Sequence, residues 1–207
     1  MLDNYKDFKL FLEKDIKALL IKPKLLLHTC CAPCSSYTIK FLIEYFDITI
    51  FYSNDNISPI EEYNHRLNEQ IRFANLFNIK VLYDKYNNED YLNAIKGEEN
   101  LGEKSHRCYD CYKLRLRKTA IKAKELGFDY FTTSLSISPY KISRWINEIG
   151  YQLENEYGIK YLYSDFKKEE GYKESIKLSE EYNLYRQDYC GCIYSKKERD
   201  ERKCQED

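Results

Sequence analysis

The chain has 207 residues, 43% of them hydrophobic, and a formal net charge of −1. This length suits one domain with a sizeable core, and the balanced charge gives no overall signature of nucleic-acid binding. No apolar run approaches the roughly 20 residues that cross a bilayer, and the polar N-terminus does not read as a signal peptide. We therefore expect a cytoplasmic protein with no membrane partner. Its eight cysteines should then serve metal binding or redox chemistry rather than structural disulfides.

Apolar residues at helical spacing predict an N-terminal amphipathic helix over 4–20, flanking the domain and ending before Pro23. Short apolar runs then alternate with longer amphipathic segments. The predicted strands cover 24–28, 48–52, 80–83, 130–133 and 160–163. The predicted helices after the first cover 35–45, 59–78, 109–126, 138–157 and 170–182. This alternation predicts an α/β fold, with a parallel sheet covered by helices on both faces.

No linker or internal repeat divides the sequence, so we expect a single α/β domain over 1–207. Within it we distinguish a flanking helix (1–22), an α/β core (24–183) and a C-terminal segment (184–207) that carries a CxC pair.

Three groups of cysteines are candidate functional residues, and two of them lie beside a predicted strand or helix. Cys30, Cys31 and Cys34 directly follow the first strand, at the carboxyl end where α/β sheets bind ligands. Cys108 and Cys111 form a CxxC at the start of a predicted helix, where two sulfurs can converge on one metal and the helix N-terminus favours thiolates. Adjacent cysteines can share one centre only if the backbone turns between them, and a proline at position 33 supports such a turn.

These groups leave several interpretations open. Buried cysteines can be small hydrophobic residues, thiolates can hold structural zinc, and four thiolates can hold an iron–sulfur cluster. Cys190 and Cys192 are close enough along the chain to form a strained, labile disulfide, but they could equally be metal ligands or plain thiols. Cys204 lies in a charged tail, and we interpret it as an incidental surface thiol.

The helix that follows the CxxC carries a run of basic residues. They are Lys113, Arg115, Arg117, Lys118, Lys122 and Lys124. Such a run usually forms a solvated face, but beside a metal site it could also bind the phosphates of a nucleic acid.

Taken together, the cysteine groups and their neighbours resemble one known family. The motifs are Leu26-Leu27-His28-Thr29-Cys30-Cys31-Ala32-Pro33-Cys34, Glu62-Tyr63 with Arg66, Arg107-Cys108-Tyr109-Asp110-Cys111 with Arg115-Leu116, Thr132-Thr133-Ser134-Leu135 with Ser138-Pro139-Tyr140-Lys141, Asp165-Phe166 with Gly171-Tyr172, and Tyr185-Arg186-Gln187-Asp188-Tyr189-Cys190-Gly191-Cys192. They span residues 24–195 and resemble the cobalamin-independent epoxyqueuosine reductases, the QueH family.

The resemblance implies a Rossmann-like fold of the adenine-nucleotide α-hydrolase type, in which the cysteine turn replaces the phosphate loop. It implies an oxidoreductase that reduces epoxyqueuosine to queuosine at the wobble position of tRNA, supplied by an electron donor that the sequence does not identify. The implied ligands of a [4Fe–4S] cluster are Cys30, Cys31, Cys108 and Cys111. The family also implies a redox-active disulfide between Cys190 and Cys192, and a second iron for which we take Cys34 as the candidate ligand.

Two other functions remain open. An ATP-dependent tRNA-thiolating enzyme on the same fold would need a glycine- and serine-rich phosphate loop, where this chain has cysteines followed by only Ser35 and Ser36. A tRNA-binding module stabilised by zinc or by a cluster would use the same cysteines without catalysis.

Overall fold

The fold, seen in a computed structural model that describes residues 2 and 4–206, is built on a parallel sheet of five strands. In chain order the strands are β1 (Lys24–His28), β2 (Asp47–Tyr52), β3 (Lys80–Tyr83), β4 (Tyr130–Thr133) and β5 (Lys160–Tyr161). Their order in the sheet is β3-β2-β1-β4-β5, so β1 is central. The parallel sheet predicted from the sequence is therefore confirmed, although β5 is two residues shorter than expected.

Helices cover both faces of the sheet, as predicted. In chain order they are α1 (Tyr5–Phe11), α2 (Ala32–Leu42), α3 (Ile60–Asn75), α4 (Asn88–Ala94), α5 (His106–Glu125), α6 (Ser143–Tyr157), α7 (Gly171–Glu181) and α8 (Ile193–Glu206). Successive side chains of a strand point to opposite faces. Leu25 and Leu27 of β1 accordingly join one buried core, and Leu26 joins the other. The first core lies under α1, α2 and α3, and the second under α5 and α6.

The prediction for the N-terminal helix is wrong at its C-terminal end. The α-helical turns end at Phe11 and continue as a π-helical segment over Leu12–Ile16. Leu19 and Leu20 lie beyond this segment and are 51% and 103% exposed. The apolar spacing continues in the sequence past the edge of the surface that the helix packs against, so spacing alone could not locate the end.

The buried face of this N-terminal segment belongs to the first core. Phe8 is fully buried and contacts the rings of Phe41, Tyr163 and Phe166. We expect Phe8→Ala to lower the free energy of unfolding by about 3–5 kcal/mol, because the substitution leaves a cavity among these rings. Leu10→Ala, at a half-exposed position of the same helix, should change it by less than about 0.5 kcal/mol. Chemical denaturation measures both, and equal effects would contradict this packing.

Two helices were not predicted. α4 lies between the predicted strand at 80–83 and the CxxC, where no element was predicted, and α8 lies in the charged tail. Both sequences are rich in charged residues and contain few apolar ones. The spacing of apolar residues therefore did not indicate a helix in either segment. No helix in the part of the chain that the structure describes is both long enough and apolar enough to cross a membrane.

The start of α2 also differs from its prediction, and this difference shapes the site. The helix begins at Ala32 rather than at residue 35, with Cys31 as an extended N-cap and Pro33 in the first turn. Proline is favoured there because the first helical N–H groups have no partner within the helix. Cys34 therefore lies within the first turn of α2, directly after the central strand.

Candidate active site

The first cysteine group forms a compact cluster of sulfurs at the carboxyl end of β1. The Sγ atoms of Cys31 and Cys34 lie 2.8 Å apart, and those of Cys30 and Cys31 lie 3.7 Å apart. All three sulfurs lie within 4.8 Å of one another. The backbone turn that Pro33 suggested is present, and it allows adjacent cysteines to face one centre.

The three thiols of this cluster have unequal acidity. Hydrogen bonds from Cys31 and Cys34 hold the pKa of Cys30 well below its usual value, and nearby Arg115 lowers it further. The same hydrogen bonds to Cys30, together with burial, raise the pKa values of Cys31 and Cys34. A bound metal would supply the positive charge that lets more of these sulfurs ionise.

The CxxC lies on the first turns of α5. Cys111 is buried among Tyr91, Ile95 and Cys192, and burial raises its pKa to about 12. Burial also raises the pKa of Cys108. Neither sulfur belongs to the compact group of Cys30, Cys31 and Cys34. The guanidinium of Arg115 lines the cavity beside the first group and interacts electrostatically with both Cys30 and Cys111.

A cavity of about 400 Å³ opens beside the cysteine turn. Its cysteine lining consists of Cys30, Cys31, Cys34 and Cys190. Its charged lining is mainly cationic, and consists of Arg66, Arg115, Lys141, Arg186, Arg202, Glu103 and Asp188. Three tyrosines, Tyr140, Tyr172 and Tyr189, complete the aromatic part of the wall. The structure thus brings the first and third cysteine groups to one cavity.

The CxC loop is held against the cavity by contacts from three elements. Lys141 Nζ donates to Cys190 Sγ at 2.8 Å, and Arg66 donates to the carbonyl oxygen of Cys190 at 3.1 Å. The backbone N–H of Ser58 donates to the carbonyl of Gly191 at 2.9 Å. Cys190 and Cys192 are both free thiols in this structure.

Gly191 is required by the shape of this loop. Its φ is +119°, and a Cβ at this position would lie 3.0 Å from both Arg66 and Ile57. We expect Gly191→Ala to displace Cys190 and lower activity by about 10- to 100-fold. Gly97→Ala is the matched control, because Gly97 also has a positive φ but nothing lies within 4 Å of its added Cβ. Steady-state rates of the two variants test this, and equal losses would contradict a specific role for the loop.

Three buried cations are the site residues whose role the sequence did not reveal. Arg66, Arg115 and Lys141 are each less than a tenth exposed. Burial lowers the pKa of Lys141, but Cys190, Tyr112 and Cys108 together outweigh burial, and the net pKa lies well above its usual value. The sequence did contain one indication that Arg115 belongs to the site. Arg115 lies four residues after Cys111, which places both residues on one face of α5.

Three residues of the basic run on α5, Arg115, Lys118 and Lys122, are buried or paired within the chain. Arg115 is 2% exposed. Lys118 Nζ lies 2.6 Å from carboxylates of both Asp55 and Asp90, and Lys122 lies 3.3 Å from Asp84. These partners come from segments distant in sequence, which explains why the run appeared unpaired there.

Comparisons with known proteins identify one family and one fold. The family profile described as "Epoxyqueuosine reductase QueH" matches residues 25–198. Epoxyqueuosine reductase QueH from Streptococcus pyogenes serotype M1 is 45% identical over 183 residues, which cover 86% of this chain and 72% of the relative. The relative of the same name from Thermotoga maritima is 39% identical, over 86% of this chain and 92% of the relative.

Among solved structures, the U34-tRNA thiolase NcsA from Methanococcus maripaludis with its [4Fe-4S] cluster superposes with a TM-score of 0.58. The match covers 92% of this chain and 67% of that chain at 15% sequence identity. At this identity the likeness shows the fold, and it confirms the Rossmann-like, adenine-nucleotide α-hydrolase-like architecture expected from the sequence.

Proposed function

Because this chain belongs to the epoxyqueuosine reductase family QueH, we propose that the cavity beside its cysteine turn is where the epoxide of epoxyqueuosine is reduced. The chain is an oxidoreductase that converts epoxyqueuosine to queuosine in tRNA. Opening an epoxide to an alkene consumes two electrons and two protons and releases water. The site must therefore hold redox groups, supply protons and bind an RNA loop.

Cys30, Cys31, Cys108 and Cys111 would hold a [4Fe–4S] cluster. The observation that carries this proposal is the compact group of the Cys30, Cys31 and Cys34 sulfurs beside the buried Arg115, which interacts with Cys111 as well. Arg66 Nη2 and Arg115 Nε are buried without a hydrogen-bond partner in the described structure. Arg66 Nε already pairs with Glu62 Oε1 at 2.7 Å, whereas Arg115 has no carboxylate partner among the described residues. A buried cation is costly unless an anion compensates it, and a cluster held by four thiolates is an anion. Thiolate ligands also suit iron–sulfur clusters. When bound, the cluster would deliver electrons one at a time.

Cys34 is our candidate ligand for a second iron. Its position in the first turn of α2 and in the wall of the cavity supports a role on the substrate side. The short distance from Cys34 Sγ to Cys31 Sγ also allows the alternative that Cys34 is a ligand of the cluster itself. The cysteine variants described in the Discussion distinguish these alternatives.

Cys190 and Cys192 would act as a redox pair. Two thiols that close to a disulfide release two electrons and two protons, which equals the demand of the deoxygenation. Cys190 lines the cavity, and the Lys141 ammonium lies 2.8 Å from its sulfur. Lys141 also lines the cavity, so it can hold a proton near the place where the epoxide oxygen leaves.

The cavity wall would also bind the tRNA. Arg186 and Arg202 at the cavity offer positive charge for phosphates, and Tyr140 is an exposed ring on which an unpaired base can stack. We propose that the enzyme works in the cytoplasm, where tRNA is available and thiols persist. Its electron donor would reach the same site.

One experiment tests the proposal as a whole. The protein is reconstituted anaerobically with iron and sulfide, and then incubated with reductant and with tRNA that carries epoxyqueuosine. We expect a brown protein and formation of queuosine, measured by mass spectrometry of the digested tRNA. A colourless protein that contains only zinc would favour the non-catalytic tRNA-binding module. Incorporation of sulfur into tRNA with consumption of ATP would favour the thiolating enzyme.

The buried cations supply a second test. Arg115→Met keeps the volume of the side chain but removes its charge, so we expect several-fold less iron per chain after reconstitution, because the charge that compensates the thiolates is lost. Arg117→Met, at an exposed position of the same helix, should bind as much iron as the parent. Unchanged iron content and reduction potential in Arg115→Met would contradict the role of Arg115.

A further inference from the structure

We propose that the two sulfurs of the CxC pair have different roles. Cys190 exchanges with an external dithiol through the substrate cavity, whereas Cys192 is the buried sulfur that leaves when the disulfide is reduced. A consequence is that the dithiol and the tRNA must use the site in turn. This inference rests on the proposed redox role of Cys190 and Cys192, and it adds the chemical class of the electron donor and the order of binding.

The first observation is a difference in access. Cys190 is partly exposed and lines the cavity. Cys192 is 7% exposed, does not line that cavity, and packs with Tyr91, Ile95 and Cys111. An external thiolate must approach the sulfur that it attacks, and access is one of the factors that set the rate of exchange. Cys190 is therefore the sulfur that is open to attack.

The second observation is that the surroundings of Cys192 Sγ can stabilise a thiolate, which is the form in which a leaving sulfur departs. Cys192 immediately precedes α8, and the backbone N–H of Ser195 donates to its Sγ at 3.4 Å. The Cys192 thiol donates to the Ser195 hydroxyl at 3.3 Å, and that hydroxyl donates in turn to the carbonyl oxygen of Cys192 at 3.0 Å. A sulfur that leaves as a thiolate would thus keep the backbone N–H of Ser195 as a donor at the N-terminus of a helix, where negative charge is favoured.

The chemistry balances with a dithiol as the donor. During reduction of the epoxide, the two thiols lose two electrons and two protons, the Cys190–Cys192 disulfide forms, and water leaves. One thiolate of the external dithiol then attacks Cys190 Sγ, a mixed disulfide forms, and Cys192 leaves as a thiolate and takes a proton. The second thiol of the donor then attacks the donor sulfur that is bonded to Cys190. Cys190 is released as a thiol, and the donor is oxidised to a disulfide.

Alternation follows from the position of Cys190. Its sulfur shares the cavity with Cys30, Cys31 and Cys34, which the substrate must approach. A nucleotide bound there covers Cys190, so the dithiol can reach it only after the tRNA has left. The kinetic consequence is a ping-pong scheme with two half-reactions.

Alkylation of the loaded enzyme tests the asymmetry without measuring turnover. The anaerobic, cluster-loaded, reduced enzyme is treated with iodoacetamide, and each cysteine is quantified by peptide mass spectrometry. We expect Cys190 to react at least about tenfold faster than Cys192, because access limits the buried sulfur. Exposed Cys204 serves as the internal control for the reagent. Saturating tRNA that carries queuosine, the product, cannot oxidise the pair, and it should slow the alkylation of Cys190 by at least about tenfold. Equal rates at Cys190 and Cys192, or no protection by tRNA, would overturn the proposal.

Initial rates test the donor and the alternation. With dithiothreitol as the dithiol, varied against tRNA, we expect parallel double-reciprocal lines. Intersecting lines would overturn alternation, and turnover with dithionite but none with dithiothreitol would overturn the assignment of a dithiol donor. Absence of queuosine with either donor would instead contradict the proposed reductase function, while the alkylation pattern still decides the asymmetry of the pair.

Discussion

The Cys31→Ser variant is expected to lose the absorbance at about 400 nm that an iron–sulfur cluster gives. We expect its activity to fall at least about 100-fold. Cys31 is buried at the N-cap of α2, with sulfurs of Cys30 and Cys34 beside it, so removal of its thiol leaves one coordination position open. We expect the same loss for Cys108→Ser on α5. The measurements are the absorption spectrum and the iron content per chain after anaerobic reconstitution.

Cys34→Ser is the decisive comparison. If Cys34 serves the substrate side, this variant keeps the absorbance and the four irons of the cluster but loses at least about 100-fold in activity. If Cys34→Ser and Cys31→Ser lose the absorbance to the same extent, the assignment is wrong and Cys34 belongs to the cluster. Cys204→Ser, at an exposed position that does not line the cavity, is the matched control and should resemble the parent in both measurements.

The second large effect is expected for the CxC pair. Cys190→Ser should reconstitute with the same iron content and spectrum as the parent, because Cys190 is not among the proposed cluster ligands. Its multiple-turnover rate should fall at least about 100-fold, because one sulfur cannot close a disulfide. The measurements are iron content, spectrum and formation of queuosine. Loss of the spectrum in Cys190→Ser would mean that the sulfur is a metal ligand instead.

A comparison with Cys192→Ser separates catalysis from packing. Cys192 is buried beside Cys111, whereas Cys190 lies at the cavity. Both substitutions should lower turnover alike if the two sulfurs form one redox pair, and thermal unfolding should show whether Cys192→Ser also disturbs the core. Full activity in either variant would contradict a redox pair.

Much of the fold follows from local sequence signals. The three inner strands, β1, β2 and β4, are short apolar runs that are largely buried, and most helices between the strands have clear amphipathic spacing. The order of the strands along the chain could therefore be predicted. The cysteine turn could be placed at a functional edge of the sheet for the same reason, because it directly follows a buried strand. The spacing of the three cysteine groups, and the motifs around them, identified the family before any contact was known.

The tertiary structure decided what the charged residues do. Arg115 belongs by sequence to a run of basic residues on one helix, yet it is buried and interacts electrostatically with Cys30 and Cys111. Lys118 of the same run pairs with Asp55 and Asp90. Likewise, the sequence placed Cys190 and Cys192 only two residues apart, and the structure separated them into a cavity sulfur and a buried one. A sequence determines local geometry through spacing, because neighbouring residues share a strand or a helix turn. The partner of a charge or a thiol comes from segments distant in the chain, so only the folded chain determines which cations are buried and which sulfur a second molecule can reach.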